Sequence, residues 1–145
     1  MTNQLGSRFD SDRDSPGFLL WQVTNRWQAA IRACLRPFDL THVQCVLLAA
    51  LTWADAELTQ VELANRTHAD PMMTSQVLRA LEAKGFVVRK PHPDDRRARL
   101  LEVTPQGAEL ARRANAAVEA ADAEFFGPES GRARTLAEHL AGLVE

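Results

Sequence analysis

The sequence holds little of what most functional classes require. Two cysteines, Cys34 and Cys45, stand among 145 residues, too few for a disulfide framework. Both lie inside apolar helical patterns, so a reducing cytosol is the simplest compartment. Proline and glycine are scarce, seven of each, which excludes a low-complexity chain. The longest unbroken apolar run, Cys45 to Leu51, falls far below the roughly 18–20 residues of a membrane span. The opening MTNQLGSRFDSDRDSPG mixes acids, bases and serines with no apolar stretch, which argues against a signal peptide. Metal-binding and catalytic spacings are missing too: no His-x-x-x-His, Cys-x-x-Cys or paired carboxylates, no glycine-rich phosphate loop and no nucleophile elbow. His42, His68, His92 and His139 are scattered one to an element, as surface or capping residues are. The expectation is a protein that is not an enzyme and holds neither metal nor cofactor.

With 46% hydrophobic and 25% charged residues, the chain suits one compact domain that buries about 68–70% of its unfolded surface. A net charge of −2 hides a local imbalance. Between Arg79 and Arg99 the bases are Arg79, Lys84, Arg89, Lys90, Arg96, Arg97 and Arg99, against the acids Glu82, Asp94 and Asp95. That segment carries +4, leaving −6 for the rest. A basic block on an otherwise acidic chain points to one surface that faces a polyanion. A solvated charged face is the plainer alternative.

Helix signals recur along the chain. Residues 1–14 read as a flexible polar tail. Ser15-Pro16 then forms an N-cap followed by proline, and Phe18, Trp21, Trp27, Ile31 and Leu35 repeat at helical spacing until Pro37. Thr41-His42-Val43-Gln44 and Thr59-Gln60-Val61-Glu62 both have the capping-box form. Asp70-Pro71 opens a helix that stops at Gly85, where a C′ glycine belongs. The period then turns extended: Phe86 to Arg89 and Leu100 to Val103 flank PHPDDRRAR, which reads as a long exposed hairpin tip. Thr104-Pro105 caps an alanine-rich helix to about Phe126, Gly127-Pro128 breaks it, and a last helix carries Leu136, Leu140, Leu143 and Val144. The order is four helices, a β-hairpin and two helices: mainly α with a small β wing.

The helices at 59–66 and 70–84 are joined by a short turn. On the second, Thr74, Val77, Leu78 and Leu81 share one face, while Met72, Ser75, Gln76 and Arg79 occupy the other. Arginine forks onto guanine, glutamine onto adenine, serine onto base or phosphate, and an apolar side chain touches a thymine methyl, so this second face suits the major groove of DNA. An ordinary amphipathic hairpin of helices is the alternative. The β tip adds Arg96, Arg97 and Arg99 beside Asp94 and Asp95; an arginine on a protruding tip suits a narrow minor groove. Asp95 is placed to pair with Arg97 and hold its guanidinium. Arg89, Lys90 and His92 at the hairpin base are placed to meet phosphates.

From Leu40 to Gly107 the sequence resembles the MarR-type (multiple antibiotic resistance regulator) winged helix-turn-helix transcription factors. The resemblance rests on LTHVQCVLLAAL, on TQVELANRTHADPMMTSQVLRALEAKGFVVRK, and on DRRARLLEVTPQG. The last matches the family's wing signature through Asp95, Arg97, Thr104, Pro105 and Gly107. Met72, Met73 and Thr74 depart from residues common there. The resemblance implies a homodimer on a pseudo-palindromic operator, usually a repressor, released by a small molecule or an oxidant. It implies that 70–84 is the recognition helix and Arg97 the wing arginine.

One domain over residues 15–145 is expected, with a winged core at about 40–104 and dimerisation helices at about 15–36 and 105–144. Those terminal helices carry Trp21, Trp27, Phe125 and Phe126, apolar groups that a small winged core does not need and a two-fold partner would cover. A cleft near Trp21, Trp27 and Trp53 is the expected effector site. Cys34, between Arg32 and Arg36, is the expected redox residue if there is one. The reading is a cytoplasmic, sequence-specific regulator of double-stranded DNA without membrane association. The alternative is a winged-helix interaction adaptor with weak, non-selective DNA binding.

Overall fold

The computed structural model describes residues 4–127 and 131–145. The end of the expected tail forms a single 3-10 turn, Asp12–Asp14, capped by Ser11; residues 1–3 and Pro128 lie outside the described residues. Helix α1 spans Pro16–Leu35, and the Ser15 hydroxyl accepts the Phe18 N–H at 3.3 Å. Pro37 enters a 3-10 turn, Arg36–Phe38, that ends α1. Helix α2 is His42–Trp53. Both halves of its capping box form at 3.1 Å, between the Thr41 hydroxyl and the Gln44 amide and between the Gln44 side chain and the Thr41 amide.

Two residues, Leu58–Thr59, then make strand β1, which no alternation in the sequence announces. Thr59 also caps helix α3, Gln60–Thr67, which His68 closes in the left-handed region at φ 53°. Helix α4 is Pro71–Ala83; the Asp70 carboxylate accepts the Met73 N–H at 2.9 Å. Strands β2, Val87–Pro91, and β3, Arg99–Val103, form the hairpin. The hairpin is part of a three-stranded antiparallel sheet ordered β1-β3-β2, with Leu58 opposite Leu101 and Val87 opposite Val103. Helix α5 runs Pro105–Phe126 and α6 Arg132–Val144. The fold is mainly α with a small antiparallel sheet, as the sequence implies.

Ile31 and Leu35 of α1, Leu47 and Leu48 of α2, Leu63 of α3, Leu78 and Leu81 of α4, Val87 and Leu101 of the sheet are all inaccessible to solvent or nearly so. The core therefore takes in half of α1, and Ala111 and Ala114 of α5 join it. The terminal helices α1 and α5 thus contribute to the chain's own core. Trp27 packs against the same core and its indole N–H donates to the Asp122 carboxylate at 2.7 Å. What stays uncovered is the N-terminal half of α1 and the apolar stripe of α6, which buries no residue.

One junction fixes the wing to α4. The Thr104 N–H donates to the Phe86 carbonyl at 3.0 Å, and its hydroxyl donates to the Gly85 carbonyl at 2.7 Å while accepting the Gly107 N–H at 3.0 Å. Gly107 is buried, and a Cβ there would lie 2.2 Å from the Phe86 carbonyl oxygen. The Thr-Pro-x-Gly run is thus a packing requirement: only glycine lets α5 begin against the chain leaving α4. Gly107→Ala is expected to cost about 1–3 kcal/mol, the usual range for overpacking. A urea titration reads it as a lowered midpoint; an unchanged midpoint would show that α5 does not start this close.

Candidate nucleic-acid interface

Ala64 of α3 is buried, and α4 turns Thr74, Leu78 and Leu81 inward. Val77 is half-buried beside them. Thr74 is a polar residue at a fully buried position, and its hydroxyl is satisfied by the Asp70 carbonyl at 2.8 Å. The opposite face presents Met72, 74% exposed, with Gln76 and Arg79 exposed and Ser75 half-buried. Capping by Asp70 and the proline at the first position give this face a fixed start.

The structure sorts the basic block into two sets. Lys84 donates to the Asp39 carbonyl at 3.1 Å, Arg89 pairs with Glu82, and Lys90 sits 2.6 Å from Glu57 and 3.8 Å from Glu102. The hydrogen bond that the Lys90 ammonium donates to Glu57 raises its pKa above the ordinary lysine value. Arg79, Arg96, Arg97 and Arg99 are exposed, and no carboxylate pairs with them among the described residues. Arg89 and Lys90, expected to face phosphates, stand against carboxylates in the DNA-free chain. The reason lies in the pleat. Consecutive strand residues point to opposite faces, and each of the two faces carries a glutamate within reach.

At the wing tip the backbone is held by side chains. His92 Nδ1 accepts the N–H groups of Asp94 and Asp95 at 3.0 and 3.1 Å, so this nitrogen is used within the turn. Asp95 accepts the Arg97 backbone N–H at 2.9 Å. This replaces the expected pairing with the Arg97 guanidinium: the carboxylate fixes the chain at Arg97 and leaves its side chain free to reach outward. A groove of about 440 Å³ separates the wing from the start of α3, with Arg89, Arg97 and Arg99 on one wall and Thr59, Gln60 and Val61 on the other.

A second, apolar cavity of about 520 Å³ lies where α1, α2, α3 and α5 meet, and Trp27 and Trp53 both line it. Trp21 does not; it stands 70% exposed on α1, because six residues along a helix place it about 120° from Trp27. Arg66 is the lone cationic side chain in the lining, near His42, Thr67 and Asn115. Sequence reading missed Arg66 and Asn115 as cavity residues, for only folding brings α3 and α5 to one space. The His42 ring meets Trp27 edge-on at 5.0 Å. Burial pushes its pKa down, with Arg32 adding to the effect and Asp122 opposing it.

Cys34 donates its thiol to the Ile31 carbonyl at 3.2 Å. Burial pushes its pKa up and Asp122 adds to that, while Arg32 and Arg36 point into solvent. The thiolate that a redox residue needs is therefore disfavoured, against the expectation from its neighbours in sequence. Cys45 is buried and its pKa is likewise raised. Among the described residues no group of three or more His, Cys, Asp or Glu could hold a metal ion, and no single helix is long and apolar enough to cross a membrane.

The MarR family model matches residues 40–98. An uncharacterized HTH-type transcriptional regulator of Bacillus subtilis, YdcH, is 44% identical over 123 residues, covering 83% of this chain and 84% of that one. An HTH-type transcriptional repressor of Mycobacterium tuberculosis is 36% identical over 114 residues, 78% of this chain and 81% of its own. Among solved structures, CouR from Rhodococcus jostii bound to p-coumaroyl-CoA superposes with a TM-score of 0.82 at 27% identity, covering 93% of each chain. A mutant MarR from Escherichia coli complexed with operator DNA superposes at 0.79 and 26% identity, covering 92% of this chain and 97% of that one.

His42 yields a pH test. Its folded pKa lies below the unfolded value of about 6.5. The unfolded chain therefore takes up the proton first, so the stabilisation is complete above about pH 6.5 and is lost as pH falls through the folded value. The drop in urea midpoint from pH 7.5 to pH 5.5 is expected to shrink in His42→Gln. An equal drop in both proteins would show that His42 does not contribute.

Proposed function

This chain belongs to the MarR family of DNA-binding transcriptional regulators, and from that membership we propose a homodimeric repressor that reads a pseudo-palindromic duplex and is released by a small molecule. The observation that carries the DNA part is that Arg79 on α4 and Arg96, Arg97 and Arg99 on the wing stand exposed with no carboxylate partner among the described residues. In this reading α4 enters the major groove with Met72, Ser75, Gln76 and Arg79 toward base edges. Arg97 enters the adjoining minor groove, and Arg96 and Arg99 flank it at phosphates. Asp95 shapes the tip. Arg89 and Lys90 support the wing from its base.

Phe18, Leu20, Trp21 and Val23 on α1 and Leu140, Leu143 and Val144 on α6 remain exposed within one chain. Covering them with a two-fold copy is the economical solution, and symmetric recognition helices would then sit about 34–36 Å apart. The repressor role follows the name borne by the mycobacterial relative. The apolar cavity supports a small-molecule signal, as does the acyl-CoA bound to CouR, a neighbour of the same fold. The oxidative alternative draws little from Cys34. The cytoplasm is the compartment this reading assigns.

Selecting duplexes from a random library with purified protein tests the reading. A two-fold symmetric consensus is expected. With the selected duplex, Gln76→Ala and Arg79→Ala should each cost about 1–3 kcal/mol and relax preference at one base pair. Arg97→Ala should weaken binding without relaxing preference at the base pairs that α4 reads. Recovery of no consensus would favour the adaptor reading and sink this one.

A further inference from the structure

Arg89 and Lys90 are consecutive residues of β2 with opposite carboxylate partners, and this arrangement does something for the wing. In the sheet, Lys90 stands opposite Leu100, which stands opposite Thr59; Glu102 and Glu57 occur two residues along the same faces of their strands. On that outer face the Lys90 ammonium bridges Glu57, which precedes β1, and Glu102 on β3. On the inner face Arg89 stands opposite Leu101, which stands opposite Leu58, both buried. From there Arg89 reaches Glu82 in the last turn of α4. The edge strand of the wing is thus gripped from above and below by charges belonging to the rest of the winged core.

We propose that Glu57 and Glu82 are positioning residues for the wing: through Lys90 and Arg89 they set the angle at which Arg97 is presented to DNA. This rests on the DNA-binding reading above. The strand pairing between β2 and β3 fixes the hairpin internally, but β1 offers only two residues to hold that hairpin to the body of the protein. Ion pairs at both faces add a second restraint to the one that the Thr104 junction provides at the hairpin base. Lys90 and Arg89 in this role are not phosphate ligands, which separates the proposal from the simpler view that every base near the wing meets the polyanion.

The test uses the full chain and the duplex recovered by selection, with affinity measured by fluorescence anisotropy across a salt series. Glu57→Gln is expected to weaken binding about three- to tenfold with an unchanged salt slope. In an Arg97→Ala background the same change should add less than twofold, because Glu57 acts only by placing that arginine. The exchanged pair Glu57→Lys with Lys90→Glu should restore affinity to within about twofold, and Glu82→Gln should reproduce the effect of Glu57→Gln. Lys90→Ala should leave the salt slope unchanged; a fall of about 0.9 would make Lys90 a phosphate ligand and overturn the proposal. Additive losses in the double variant, or tighter binding by Glu57→Gln, would overturn it as well.

Amide exchange in the DNA-free protein separates this idea from the reading beneath it. Glu57→Gln should speed exchange in residues 88–102 and leave α1 and α5 unchanged. Faster wing exchange with no duplex selected by the native protein would mean that the clamp stands and the DNA reading fails. Unchanged wing exchange alongside normal duplex selection would mean the reverse.

Discussion

The Thr104 hydroxyl, donating to Gly85 and accepting from Gly107, holds the structure's three working parts at one point. It ties the end of α4 and the start of the wing to the first turn of the longest helix, satisfying a backbone carbonyl and a backbone N–H there. The missing side chain at Gly107 brings the α5 backbone close enough for this to happen. Close-packed interiors respond to such contacts as units, so the helix and the wing keep a common orientation.

Much of the architecture was legible because its boundaries are marked by local chemistry. Ser15, Thr41, Thr59, Asp70 and Thr104 all act as N-caps in the structure, with the hydrogen bonds their side chains suggest. Each cap operates across two or three residues, so a linear reading captures it. Strand β1 was not legible, since two residues cannot display an alternation. The inward face of α4 was read correctly, including Thr74, because helical periodicity alone decides it.

The charges were harder. Glu57 and Lys90 are distant in sequence, and only the pairing of β1, β3 and β2 brings them to 2.6 Å. Reading charge along the chain counted Arg89 and Lys90 as available cations when the fold assigns them carboxylates. Asp95 and Arg97 show the opposite difficulty. They are neighbours, but the carboxylate engages a backbone N–H that a side-chain reading overlooks. The tryptophans follow the same logic. Trp27 is fixed by Asp122, 95 residues away, whereas Trp21 on the same helix faces solvent.

The apolar cavity is lined by Trp53 at the end of α2 and by Arg66 near the end of α3, and the chain between them carries Glu57 and strand β1. Those dozen residues form a bridge span with both abutments in the cavity wall. Along the span, Leu58 is anchored in the core and Glu57 is tethered to Lys90. The interior cavity and the outermost hairpin are thus joined by a dozen residues of continuous chain.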